Sequence, residues 1–285
     1  MSRRDAATPA WLGLVPGVVL TALFLVPFGI MLAVSVALRD PSGGGFYTWG
    51  FDLQSYARVL SSFVGRILLV SMAIAAGAAA IAVGLALPFT VILARMSRRV
   101  QTAILVVLLS VLSLSEVIIG FSVSTLLSQT AGVGNLLALL RITEESHAYT
   151  PSLFALMTGL CYLSFPYSVL VLYPPVARLD PELAEAARTM GASPLRTFLS
   201  VTVPMLRAPI LGALILVFVF ALGSYLLPQV LGRPEHWTLS VHITDQAVYQ
   251  SNLPFAAAMA AVLLLAALAL VGLALLVARE GRTEP

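Results

Sequence analysis

The chain is 285 residues long, 59% apolar and only 10% charged, with a mean hydropathy of +0.98. A soluble domain of this size needs far more charge to cover its surface, so the expected solvent is a bilayer. The net charge of +3 comes from 16 arginines and no lysine, set against 13 acidic residues, and a P-loop of the G-x-x-x-x-G-K-[ST] type is excluded because its phosphate-reaching lysine is missing. A lone cysteine, Cys161, excludes an internal disulfide. The scattered His147, His236 and His242 make no zinc-type ligand set, and the arginines form short clusters between apolar runs rather than a nucleic-acid footprint. No metal and no nucleic-acid partner is expected.

Crossing the hydrocarbon layer takes about 20 mostly apolar residues. Six segments qualify, at about 12–38, 66–94, 102–128, 151–175, 209–230 and 254–278, so an all-α integral membrane protein forming a single permease-like domain is expected. The first is longer than a signal-peptide core of about 7–15 residues and has no small-residue cleavage site after it, which reads as a retained anchor. Asp40–Tyr47, with Pro41 and three consecutive glycines, reads as a turn. In the second span Ala76, Ala80 and Gly84 form a small-xxx-small row that fits packing within the chain or a subunit interface. The third carries Glu116 near its centre. Segments 129–150 and 231–252 are polar and suit short surface helices, and Trp49 and Trp237 fall where an interfacial aromatic belt would place them. Pro166 and Pro228 are expected to kink or end their helices.

Arginine bias sets the direction. With both termini cytoplasmic, the inner segments hold Arg3, Arg4, Arg95, Arg98, Arg99, Arg178, Arg188, Arg196, Arg207, Arg279 and Arg282, while Arg39, Arg58, Arg66, Arg141 and Arg233 lie outside. The fourth and fifth spans are then joined on the inside by residues 176–208. Asp180 is placed to cap a helix that begins at Pro181 with Glu182 in its first turn, and Gly191 to end it in a left-handed conformation. Ser193 and Pro194 start a second helix. Leu183, Ala186, Ala187 and Met190 share one face of the first, and Leu195, Phe198 and Leu199 form a stripe on the second. Such an elbow suits a partner's groove or the underside of its own bundle.

Glu185-Ala186-Ala187, three residues, Gly191, nine residues and Val201-Thr202-Val203-Pro204 together resemble the E-A-A-x-x-x-G-x9-I-x-L-P motif of type I ATP-binding-cassette (ABC) importer permeases, with Val201 for isoleucine and Val203 for leucine. The resemblance covers about residues 60–280. It implies that the loop is a coupling helix seated in a cytoplasmic ATPase, with Glu185, Ala186, Ala187, Gly191 and Pro204 as the ATPase-coupling positions. It also implies two ATPase subunits that carry the ATP and Mg, with no cofactor on this chain. A second homologous permease (a heterodimer is favoured), an extracytoplasmic solute-binding protein and a bacterial inner-membrane location complete the implied assembly. Leu114-Ser-Glu-Val-Ile-Ile-Gly120, Leu222–Gly232 and the later Asp245-Gln246 and Asn252–Ala258 are similar to the polyamine, opine and phosphonate branch, and to spermidine/putrescine permeases within it.

Glu116 alone is acidic near the centre of a span, where a charge costs about 2.5–3.5 kcal/mol on insertion scales. It reads either as a carboxylate lining a cation path, with Ser110, Ser113, Ser115 and Ser122 nearby, or as a structural acid bonded to a neighbouring helix. Ser224, Tyr225, Asp245 and Gln246 form a second group of candidate path residues at the outer end of the fifth span. Alternatives within the class carry an aminoethylphosphonate, an opine, thiamine or ferric ion. Outside it, an ion-coupled secondary transporter would show paired broken helices in inverted repeats and several buried ionisable groups. An intramembrane enzyme would show a Ser/His or metal constellation.

Overall fold

The computed structural model describes residues 11–40, 46–130, 132–140 and 148–280. Arg3, Arg4, Arg141, Arg282, His147, Pro41 and the three glycines after it lie outside the described residues. The described chain is helical, with one isolated antiparallel bridge, Leu38 to Thr48. It divides into two units, Met1–Val64 with Ile243–Leu264, and Gly65–His242 with Leu265–Pro285.

The smaller unit contains α1 (Trp11–Ser35) and α2 (Gln54–Val59). Ser35 and Tyr56 share a hydrogen bond of 2.8 Å, the Asp52 N–H donates to the Val36 carbonyl, and the Arg58 guanidinium stands 4.5 Å over the Phe255 ring. The loop after α1 is thereby tied to the helix it leaves.

The larger unit begins within α3 (Ser62–Ala94), followed by α4 (Arg98–Leu112), α5 (Glu116–Leu126), the short α6 (Val133–Leu139) and α7 (Leu153–Ala177). Next come α8 (Pro181–Thr189) and α9 (Pro194–Thr197), a π-helical stretch Phe198–Thr202, α10 (Val203–Met205) and α11 (Arg207–Gly223). The remaining helices are α12 (Leu226–Leu231), α13 (Leu239–Thr244) and α14 (Leu253–Glu280), whose residues divide between the two units.

Among the described residues, four helices are long and apolar enough to cross a membrane, within α1, α3, α7 and α14. Two further stretches pass only as bent pairs: α4 with α5 at 97°, and Pro194–Met205 with α11 at 77°. Counting each pair as one span gives six. The third stretch, expected as one helix over 102–128, is therefore two helices meeting at a sharp corner.

Helix association inside a bilayer depends on close packing rather than on water exclusion. Accordingly Ala79, Ala82 and Ala86 of α3 cluster with Leu108 of α4, Val169, Leu172 and Val176 of α7, and Ala213 and Val217 of α11. Ala76, Ala80 and Gly84 face out of the single chain, so packing within it uses Ala78, Ala82 and Ala86 instead. α7 is the centre, packed on α4, α5, α11 and α12. It runs unbroken through Pro166, Pro174 and Pro175 because these neighbours hold it on several sides. At one end of the bundle the Gln101 amide donates to the carbonyls of Ala94 and Met96 at 3.0 and 2.8 Å and accepts from the Tyr173 hydroxyl at 2.7 Å. One buried side chain thus closes the α3–α4 turn and pins it to α7.

Candidate functional site

Two places stand out: a pair of helix breaks, at 113–115 and 224–225, and the elbow between α7 and α11.

A proline ring clashes with the carbonyl four residues earlier. Pro228 sets that position at Ser224, and the helix ends there: α11 stops at Gly223, Ser224 turns out with φ −64° and ψ 129°, and α12 restarts at Leu226. Pro228 then sits in the first turn of α12, where its missing N–H leaves no bond unmade. The freed carbonyls find side chains. Ser240 Oγ donates to the Leu222 carbonyl at 2.6 Å, and Thr238 Oγ1 to that of Ser224 at 3.5 Å. The Leu239 N–H, at the start of α13, donates to Ser71 Oγ of α3 at 2.7 Å. Meeting freed backbone groups with side chains in this way is one of the means by which a broken apolar helix is tolerated.

The second break lies between α4 and α5. Ser115 caps α5 by accepting from the Val117 N–H at 3.3 Å. Glu116 is consequently the first residue of α5, where a carboxylate is favoured by the helix dipole, rather than a mid-helix residue. The Ser224 hydroxyl donates to the Glu116 carboxylate. The two breaks therefore meet at one hydrogen bond, with Glu116 partly exposed, Ser224 buried and Tyr225 41% exposed beside it.

Two glycines allow this approach. A Cβ on Gly120 would sit 3.4 Å from Leu227 Cδ2, and one on Gly159 only 2.5 Å from Leu231 Cδ1. Since Leu227 and Leu231 are fully buried, α12 lies directly on α5 and α7. Asp245 and Gln246 belong to the smaller unit, on a π-helical stretch Asp245–Tyr249, where Gln246 Oε1 accepts from Asn252 Nδ2 at 3.3 Å and the Gln246 carbonyl from the Asn252 N–H at 2.8 Å. Ser71, Thr238, Ser240 and Gly159 were not singled out from the sequence, where their mark is a hydroxyl or glycine next to an apolar run, and Gly120 entered only as the last residue of the Leu114–Gly120 resemblance.

The elbow is built by local chemistry. Asp180 accepts from the Glu182 N–H at 3.0 Å and Ser193 from that of Arg196 at 3.3 Å, each followed by proline at the first helical position. Gly191 has φ +85°, and its N–H and that of Ala192 return to the carbonyls of Arg188 and Ala187. The space around Gly191 is open, so glycine is needed for its conformation and not for its size. No residue of α8 is buried, although the helix is amphipathic. Leu183, Met190, Leu195 and Leu199 are 46%, 88%, 67% and 56% exposed. Glu185, Ala186, Gly191 and Pro204 are also exposed, and Ala187 is half-buried. An apolar face this open on a short helix calls for a cover.

A family model described as the binding-protein-dependent transport system inner membrane component matches residues 86–282. The spermidine/putrescine transport system permease protein PotB of Escherichia coli (strain K12) is 28% identical over 241 residues, covering 84% of this chain and 86% of that protein. Its namesake in Haemophilus influenzae is 24% identical over 234 residues, covering 82% and 81%. Among solved structures, the crystal structure of a bacterial ABC transporter involved in the import of the acidic polysaccharide alginate superposes with a TM-score of 0.76 at 16% identity, covering 95% of each chain.

Proposed function

Since the chain belongs to the family of binding-protein-dependent transport system inner membrane components, we propose that this ABC importer permease subunit carries a polyamine or a similar small organic cation and is driven through its exposed elbow. The open apolar face of α8 and α9 carries the coupling half of the reading. It is a self-capped peg whose apolar stripe is left open by the described residues, and its acidic and arginine residues lie beside that stripe. A cytoplasmic ATPase with a groove lined by apolar and charged groups is the partner that fits. Both termini then lie in the cytoplasm, with Arg95, Arg98, Arg99, Arg178, Arg188 and Arg196 on the inner side.

The cargo half rests on Glu116. A carboxylate set at the meeting of two broken helices, partly exposed and with Tyr225 beside its serine partner, offers a cation both charge and an aromatic face. The polyamine permeases among the relatives support this choice. A permease named as a PotC homolog matches 77 residues of this chain at 32% identity, which supports a second, homologous membrane subunit as partner. A solved relative in complex with a periplasmic protein supports delivery of the solute by a binding protein.

Uptake by the reconstituted complex tests the cargo. Glu116→Gln is expected to lower spermidine uptake at least tenfold while the permease still copurifies with its ATPase; unchanged uptake removes Glu116 from the path. Glu185→Arg tests the peg, with ATPase copurification expected to fall several-fold and the melting temperature of the isolated chain expected to hold. Full retention of the ATPase would sink the coupling assignment.

A further inference from the structure

Beneath the elbow lies a cleft of about 240 Å³, walled by Leu179, Leu183, Val201 and Met205 and bounded on the α3 side by Arg95. Its one carboxylate, Asp180, is occupied by the Glu182 N–H that it caps. Arg95 is exposed at the end of α3, Arg98 and Arg99 are exposed in the first turn of α4, and Arg178 is exposed at the end of α7, one residue before Leu179.

None of these four guanidinium groups makes an ion pair or a hydrogen bond among the described residues. The pair at the start of α4 also opposes the helix dipole, which favours anions there and disfavours cations. Ser97, the cap of α4, accepts no bond from the first turn. Four unneutralised cations beside unmet N–H groups attract an anion. Interleaved with them, Ile92, Met96 and Val100 are 58%, 41% and 42% exposed. Arginines alternating with open apolar side chains, on a turn joining two membrane-crossing elements, match the depth at which phosphates meet hydrocarbon.

We infer that this cleft, with Arg95 on its wall and Arg98, Arg99 and Arg178 at the adjoining helix ends, forms a binding site for an anionic phospholipid, with the phosphate among these arginines and the upper part of an acyl chain against Leu183, Val201 and Met205. An acidic protein surface would satisfy the charges but would leave Ile92, Met96 and Val100 exposed; a lipid covers both. The site underlies the elbow, so its occupant would brace the peg that we propose meets the ATPase. The inner-leaflet source of the lipid rests on the cytoplasmic placement given above; the site itself does not.

Native mass spectrometry of the full chain in detergent, titrated with phosphatidylglycerol or phosphatidylcholine, tests the assignment. The chain is expected to retain one phosphatidylglycerol at a concentration at least tenfold below that needed for phosphatidylcholine. Removing one charge should weaken retention about fivefold, and Arg95→Gln/Arg98→Gln/Arg99→Gln on the order of a hundredfold. The matching triple lysine variant should hold the lipid, which separates lost charge from a misfolded turn. Inorganic phosphate at millimolar concentration should not displace it.

Equal retention of the two lipids would overturn the inference, as would displacement by phosphate alone. So would a triple glutamine variant that keeps the lipid at the wild-type concentration. The titration contains no polyamine and no nucleotide, so a wrong cargo or coupling assignment leaves its outcome untouched.

Discussion

The break at Ser224 and the elbow at Gly191 both stop a helix, and they do so by different means. At Gly191 the chain supplies everything locally: a left-handed glycine, two carbonyls three to five residues back, and caps at Asp180 and Ser193. At Ser224 the proline that ends the helix is local, but the groups that make the break tolerable come from elsewhere. Ser240 and Thr238 arrive 18 and 14 residues later, Glu116 lies 108 residues earlier, and Ser71 holds the start of α13 from 168 residues away. One is built locally and left exposed; the other is a knot that only the folded bundle can tie.

If that contrast is right, substitutions at the two places divide between stability and association. The largest effect is expected from Gly159→Val, which drives a branched side chain into Leu231 and should destabilise the bundle by about 3 kcal/mol. Thermal unfolding of the purified chain would show it, and an unchanged melting temperature would mean that α12 does not lie on α7 as described. Gly191→Val should cost about 1–2 kcal/mol of local elbow structure, because a side chain opposes the left-handed conformation. Since the surrounding space is open, the melting temperature of the bundle should hardly move while ATPase copurification drops. Gly191→Asn should keep more of the association, as asparagine tolerates that region better. The smallest effect belongs to Ser240→Ala, which leaves the Leu222 carbonyl without its donor and should cost about 1 kcal/mol. A loss of ATPase association in Ser240→Ala without a change in melting would erase the distinction between the two places.

The same division explains what could be read from the sequence. Asp180, Pro181, Gly191, Ser193 and Pro194 declare the elbow because each acts on backbone within a few residues, and the arginines flanking apolar runs declare the spans. Pro228 marks where α11 would end, since the carbonyl it excludes lies four residues back. The corner at 113–115 was not legible. Its serines look like ordinary polar residues within an apolar run, and only Ser115's role as a cap turns Glu116 from a mid-span charge into a helix-start carboxylate. Gly159 was equally silent, and Gly120 was visible only as the end of a motif, because what each admits is a leucine from a helix distant in sequence. The Ala76, Ala80 and Gly84 row shows the converse: the spacing was visible, but which alanine face of α3 meets the bundle is decided by α7 and α11.

Gln101 carries a consequence of its own. With its amide hydrogens on the Ala94 and Met96 carbonyls and its oxygen on Tyr173, it welds the corner between α3 and α4 to the shaft of α7, just upstream of the elbow. Torque applied at the elbow would reach this weld before it reached the helix breaks, so the α3–α4 corner and the lower half of α7 should swing as one piece, with the compliance confined to the breaks farther along.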